Sequence, residues 1–161
     1  MSLEANIKAA LEKIGDYYIV ELKNNIETSG HVASKDLLKS IKKSGVSSSA
    51  VSITANRYLG ALSNGKKHTS KGPSPEMVQS ITRWMRFKGL KPKSGGLSST
   101  SYKKAAFAIA RRVNRSGWAG SKVIQKAFYA IEDSIDEEIT KAFKQTIDEI
   151  IKEMNQEINK K

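Results

Sequence analysis

The stretch from Ser121 to Ile158 constrains this chain more than any other. Ile124, Phe128, Ile131, Ile135, Ile139, Ala142, Phe143, Ile147, Ile150, Met154 and Ile158 recur every three or four residues, with no proline or glycine between them. That spacing puts the apolar groups on one stripe of an α-helix. Unbroken, its 38 residues would run roughly 57 Å at 1.5 Å per residue. A chain of 161 residues cannot cover such a helix alone. Either part of it packs on a second long helix, or its far end meets another subunit. A hydrophobic fraction of 39% is consistent with a modest core and apolar faces completed by neighbouring copies.

The second long period opens the chain. Leu3, Ile7, Leu11, Ile14, Tyr18, Leu22 and Ile26 form one stripe, interrupted by Gly15 at a cost of about 1 kcal/mol relative to alanine. Thr28-Ser29-Gly30 should end this helix, with Gly30 in the left-handed conformation. Ser34 then reads as the cap of a short helical turn carrying Leu37, Leu38 and Ile41. From Gly45, Val46, Val51 and Ile53 among serines and threonines read as half-buried strand, suited to antiparallel hairpin pairing.

Residues 62–77 read as a loop, with Asn64-Gly65 as a turn and Gly72, Pro73 and Pro75 as breakers. Ser74-Pro75-Glu76 opens a helix whose stripe is Met77, Ile81, Trp84 and Met85 and which Gly89 stops. Residues 91–101 form a second glycine-rich loop. A helix from Tyr102 to Asn114 carries Ala106, Ile109, Ala110 and Val113 inward and Arg111, Arg112 and Arg115 outward, before a tight connection at RSGWAGS. No internal repeat is visible. The expected domain organisation is one domain over 1–161, in which 122–161 is the long C-terminal helix.

Charge is distributed unevenly along this plan. Residues 46–122 hold fifteen Lys/Arg against one acid, Glu76, whereas residues 123–161 hold six against nine. A block this basic suggests a polyanionic partner or an acidic protein surface. Lys66, Lys67, Lys71, Arg83, Arg86, Lys88, Lys91, Lys93, Lys103 and Lys104 flank the two loops and are the candidate residues facing DNA or a partner. Contact of this kind would be with phosphates, independent of base sequence and steeply weakened by salt. Glu132, Asp133, Asp136, Glu137 and Glu138 form a candidate inter-subunit acidic face. Trp84 and Trp118 could stack on bases, but both are expected in the core.

The search for catalytic chemistry returns little. His31 and His68 lie in loops, far apart and outside any metal-ligand spacing, and there is no cysteine for a zinc or disulfide framework. Gly65-Lys66 lacks the remainder of a phosphate-binding loop. No enzyme activity, cofactor or metal is expected. No apolar run is long enough for a bilayer, and Glu4 and Glu12 argue against a signal peptide.

The order of these segments resembles the tail-completion and neck (head–tail connector, minor tail component) proteins of tailed bacteriophages. The stretches that carry the resemblance are Leu38 to Ile41, Tyr58 with Asn64-Gly65-Lys66-Lys67, Ile81-Thr82-Arg83-Trp84 through Lys88-Gly89-Leu90, and Ile109-Ala110-Arg111 with Gly117 and Gly120. Together they span about Ala5 to Ala142. The first departs from the family pattern, because Asp36-Leu37 stands where a glycine is usual.

The resemblance implies an α+β fold, with a small antiparallel sheet packed against long N- and C-terminal amphipathic helices and two basic Gly/Pro-rich loops. It further implies a non-enzymatic virion protein made in the host cytoplasm. Such a protein forms a homo-oligomeric ring of six or twelve copies around the DNA channel and joins portal or connector to tail. Non-specific contact with double-stranded DNA would be possible, with no membrane partner. The competing expectation is an accessory protein that binds nucleic acid independently of sequence through the same basic loops.

Overall fold

The computed structural model describes residues 2–30, 35–93 and 96–159. The protein is mostly helical (68%), with small antiparallel strand pairs, and is broadly α+β. In chain order the elements are α1 (Leu3–Thr28), α2 (Asp36–Ser40), β1 (Lys42–Val46), β2 (Val51–Thr54), α3 (Tyr58–Asn64) and β3 (Gly65–Lys66). They continue with α4 (Pro75–Phe87), α5 (Ser99–Ser116), β4 (Trp118–Ala119), α6 (Val123–Ala130) and α7 (Glu132–Ile158). The chain divides into two compact units, one of residues 1–30, 37–56 and 123–161, the other of residues 31–36 and 57–122.

In the first unit α1 runs antiparallel to α6 and α7. Asn6 Nδ2 donates to Thr146 Oγ1 at 2.9 Å, Lys13 pairs with Glu138 at 3.1 Å, and Tyr18 Oη donates to the Ile124 carbonyl at 3.3 Å. Burial raises the Tyr18 hydroxyl above its ordinary pKa. Ala10, Ile14, Leu22 and Ile26 are buried on α1, and Gly30 closes the helix at φ +70° as its position predicts. The expected end of the following segment is corrected. Ile41 is buried, and Lys42 and Lys43 already belong to β1, which pairs with β2 across the Ser47–Ala50 turn. Ser34, the expected cap of α2, lies outside the described residues.

Gly15 does not break α1. It is buried, and a Cβ there would stand 2.8 Å from Val51 Cγ2 and 3.1 Å from Lys43 Cδ. The missing side chain is what lets the β1–β2 hairpin lie against the helix.

The unbroken closing helix is also corrected. Ile131 sits at φ −110°, ψ 6°, and its N–H bonds to Phe128 O, three residues back, at 3.1 Å. Across this turn the buried row is Val123, Ala127, Ile131, Glu138, Ala142 and Thr146. Small and polar groups therefore face α1, while Phe128, Phe143, Ile147, Ile150, Met154 and Ile158 from the predicted stripe lie exposed. The physical reason is close helix approach: Ala10 on α1 and Ala142 on α7 let two backbones come together where large side chains would hold them apart.

The second unit has its own small core of Met85, Tyr102 and Ala106, with Val78, Ile81, Ala105 and Ile109 packed against it. Helix α4 starts as its sequence predicts: Ser74 Oγ accepts from Met77 N at 3.3 Å, with Pro75 at the first helical position. The expected loop over residues 62–77 is corrected at its start. Residues 62–64 finish α3, and β3 pairs with β4, with Gly65 opposite Ala119 and Lys66 opposite Trp118. Gly65 (φ +77°) and Gly117 (φ +62°) make this ladder possible, since a Cβ on either would collide with the facing backbone at Trp118 O or Lys66 O.

Candidate polyanion interface

The basic block of the sequence is nearly coextensive with the second unit. That unit carries sixteen Lys/Arg against two acids, and the first carries twelve against fourteen. Glu76, the one acid between residues 46 and 122, is engaged at the start of α4. Its pKa is held below the usual glutamate range by backbone hydrogen bonding and the Ser74 hydroxyl. It is occupied in stabilising its own helix and leaves most of the unit's positive field uncancelled.

The candidate cations are not equivalent. Lys66 is only partly exposed: its Nζ hydrogen-bonds Asn114 Oδ1 and approaches Met77 Sδ at 3.8 Å. Asn114 is 4% exposed and also donates to Lys71 O at 3.1 Å, while its own carbonyl accepts from Thr69 N at 2.7 Å. One buried asparagine thus ties residues 66–71 to α5. Lys67 and Lys71 project from this pinned loop and are exposed. Arg83, Arg86 and Lys88 lie exposed on or at the end of α4, Lys91 and Lys93 in the segment after it, and Lys103 and Lys104 on α5. The Arg86 guanidinium stands 5.3 Å above the Tyr102 ring, an arrangement that holds its charge in place over the small core.

A further row was not among the candidates. Phe107, Ala108, Arg111, Arg112, Arg115 and Ser116 line a depression of about 350 Å³ along the outer side of α5. Phe107 is 47% exposed among these arginines. The available signal was helical spacing: Lys104, Phe107, Arg111 and Arg115 follow at three- and four-residue steps. Arginine on a rigid helix offers forked donors to phosphate or carboxylate oxygens. Trp84 and Trp118, expected in the core, are instead 41% and 39% exposed. Trp84 falls beside Met85, the residue of α4 that takes the buried position, and Trp118 lies on the short β4 edge.

On the acidic side, Glu132 and Asp133 occupy the exposed first turn of α7, where the helix dipole favours them. Asp136 and Glu137 are exposed, and Glu137 pairs with Lys141 at 2.7 Å. Glu138 turns the other way. It is 7% exposed and bridges Lys13 at 3.1 Å and Lys141 at 3.5 Å. The hydrogen bond from Lys13 is the main cause that lowers its pKa, against burial, which raises it. Glu138 is therefore a clamp between α1 and α7 within one chain.

His68 is exposed and His31 lies outside the described residues. Among the described residues no group of three or more His, Cys, Asp or Glu is placed to hold a metal, and no helix is long and apolar enough to cross a membrane. No family model, curated protein or solved structure matches the chain.

Proposed function

We propose that this chain is a structural, non-enzymatic protein of the head–tail junction of a tailed bacteriophage, a tail-completion or neck component that works in a ring around the DNA channel. The observation that carries the reading is the division of charge between the two units, sixteen cations against two acids in one and near balance in the other. A head-to-tail ring needs unlike patches on one chain, so that each copy offers its neighbour a complement. Exposed Glu132, Asp133 and Asp136 on α7 are available to a neighbour's basic surface, and Lys67, Lys71 and the α5 arginines to the phosphates passing through the channel or to an acidic connector. In this reading the hairpin and the two long helices form the body of each copy, six or twelve copies close the ring, and portal and tail proteins are the neighbours.

The arginine row on α5 favours a second reading, a sequence-independent nucleic-acid-binding accessory protein. Quantitative mass spectrometry on gradient-purified particles, with the portal protein as the internal standard, separates the two. A fixed ratio of one ring per particle is expected for the junction protein. Loss of the chain on washing, with the bulk left in the soluble lysate, would overturn that reading in favour of the accessory protein.

A further inference from the structure

Helix α5 carries five cations and no acid, where an exposed helix ordinarily interleaves the two signs. At about 100° per residue Phe107, Arg111 and Arg115 fall within roughly 80° of arc, each about one turn beyond the last. Arg112 lies about 60° further round, with Ala108 between it and Arg115 in angle. Helical side chains lean toward the N-terminus, so Arg111 and Arg112 reach back over the turn that holds Phe107 and Ala108. The short Ala108 side chain leaves the space between them open, which is the depression described above.

These groups are not engaged elsewhere in the chain. Arg86 stands over Tyr102 and Lys66 is held by Asn114. Among the described residues, by contrast, Arg111, Arg112 and Arg115 meet no carboxylate, and the Phe107 ring meets no other aromatic ring or cation. Arg111 and Arg112 stand four and three residues before Arg115, so their charges repel along the helix until an anion lies among them. The positive track continues past the helix. Asn114 Nδ2 donates to Lys71 O at 3.1 Å, and a Cβ on Gly117 would meet the backbone of residues 66–68. Exposed Lys67 and Lys71 therefore stand at the C-terminal end of the row.

The aromatic ring decides between polyanions. In a duplex the base faces are stacked on one another, and a phenyl beside the phosphates finds no partner. A duplex is also the denser array of charge, so a site of arginine alone would prefer it. A single strand exposes its base faces, and a base laid on Phe107 brings its flanking phosphates to the arginines. An acidic peptide satisfies the arginines and leaves the ring bare.

We propose that the outer face of α5 binds single-stranded nucleic acid. Phe107 is the stacking platform for one base, Arg111, Arg112 and Arg115 hold the adjacent phosphates, and Lys67 and Lys71 extend the track. Recognition is by base face and phosphate, without sequence preference. The assignment rests on the nucleic-acid-binding reading of these arginines and narrows it to one strand; it requires no place in a virion.

Fluorescence anisotropy on the full-length chain at low salt tests it. Labelled oligothymidylate should bind about threefold tighter, or more, than a duplex of the same length. Phe107→Leu keeps an apolar side chain of similar size and removes the ring. It should weaken oligothymidylate binding about fivefold or more and duplex binding less than about twofold, with circular dichroism and melting temperature retained. Phe107→Trp should restore the single-strand affinity. Tighter binding of the duplex, or a Phe107→Leu effect that is equal on both probes or absent, would overturn the stacking site and leave phosphate contact by the arginines standing. Polyglutamate that displaces the probe as well as unlabelled oligothymidylate does would overturn it in favour of an acidic protein partner. Failure of both nucleic acids to bind would overturn the nucleic-acid-binding reading itself, and this assignment with it.

Discussion

The two units are held together by different parts of the chain. In the first, side chains do the work along α1, α6 and α7: Leu22 and Ile26 are 1% and 0% exposed, and polar pairs at Asn6–Thr146 and Lys13–Glu138 fix the register. In the second, the buried cluster is small and much of the organisation runs through the backbone, strand against strand at the β3–β4 ladder and by the Asn114 side chain donating to the Lys71 carbonyl. The difference teaches that one charge pattern and one chain can contain two kinds of stability. One is sensitive to side-chain volume, the other to the presence of any side chain at a few glycines.

The comparison can be broken most directly from the side-chain end. Leu22→Ala removes a fully buried group and should cost about 3 kcal/mol, with amide-exchange protection lost over α1 and α7 and retained over α4 and α5. Equal loss in both regions would show that the units unfold as one. From the backbone end, Gly117→Ala should cost about 2–3 kcal/mol through a strained φ and the collision with the Lys66 carbonyl. Its loss of protection should have the opposite distribution, concentrated in residues 57–122.

Gly15→Ala sharpens the contrast because propensity and packing oppose each other there. The helix gains about 1 kcal/mol from alanine, yet the new Cβ meets the stiff Val51 side chain, so the net change should be a loss of about 1 kcal/mol. Combining it with Val51→Ala should recover more than the two single effects predict, as a double-mutant cycle would show.

The smallest effect is at Glu138. Its folded pKa lies below the ordinary value, so its contribution is present at neutral pH and lost as pH falls through the folded pKa. Glu138→Gln should cost about 1 kcal/mol or less at pH 7, and the difference from the native chain should shrink once the pH drops below about 4. A difference that stays constant through that range would mean the Lys13 pair contributes nothing specific to charge.

In the nucleic-acid-binding reading, replacing Arg111, Arg112 and Arg115 with glutamine should reduce binding to duplex DNA and flatten the slope of log affinity against log salt by about 2–3. Replacing Lys66 should act mainly through stability, because its ammonium group is engaged by Asn114 and Met77.

Local order was legible in the residues themselves. The cap at Ser74-Pro75-Glu76, the end of α1 at Gly30, the β1–β2 hairpin and the concentration of charge over 46–122 all follow from patterns within a few neighbours. Such features depend on periodicity, φ preference and hydrogen-bonding groups that each residue carries wherever it is placed. The tertiary structure alone decided which face of α7 is buried. Ala142 and Thr146 face α1 while Ile147 and Ile150 do not, Glu138 is a clamp rather than part of the exposed acidic surface, and both tryptophans lie outside the core. It alone decided that Gly15 admits a hairpin, that Ile131 turns, and that Gly65 and Gly117 pass another backbone. These outcomes depend on neighbours dozens of residues away, and hydrophobicity along the chain does not record how closely two helices approach.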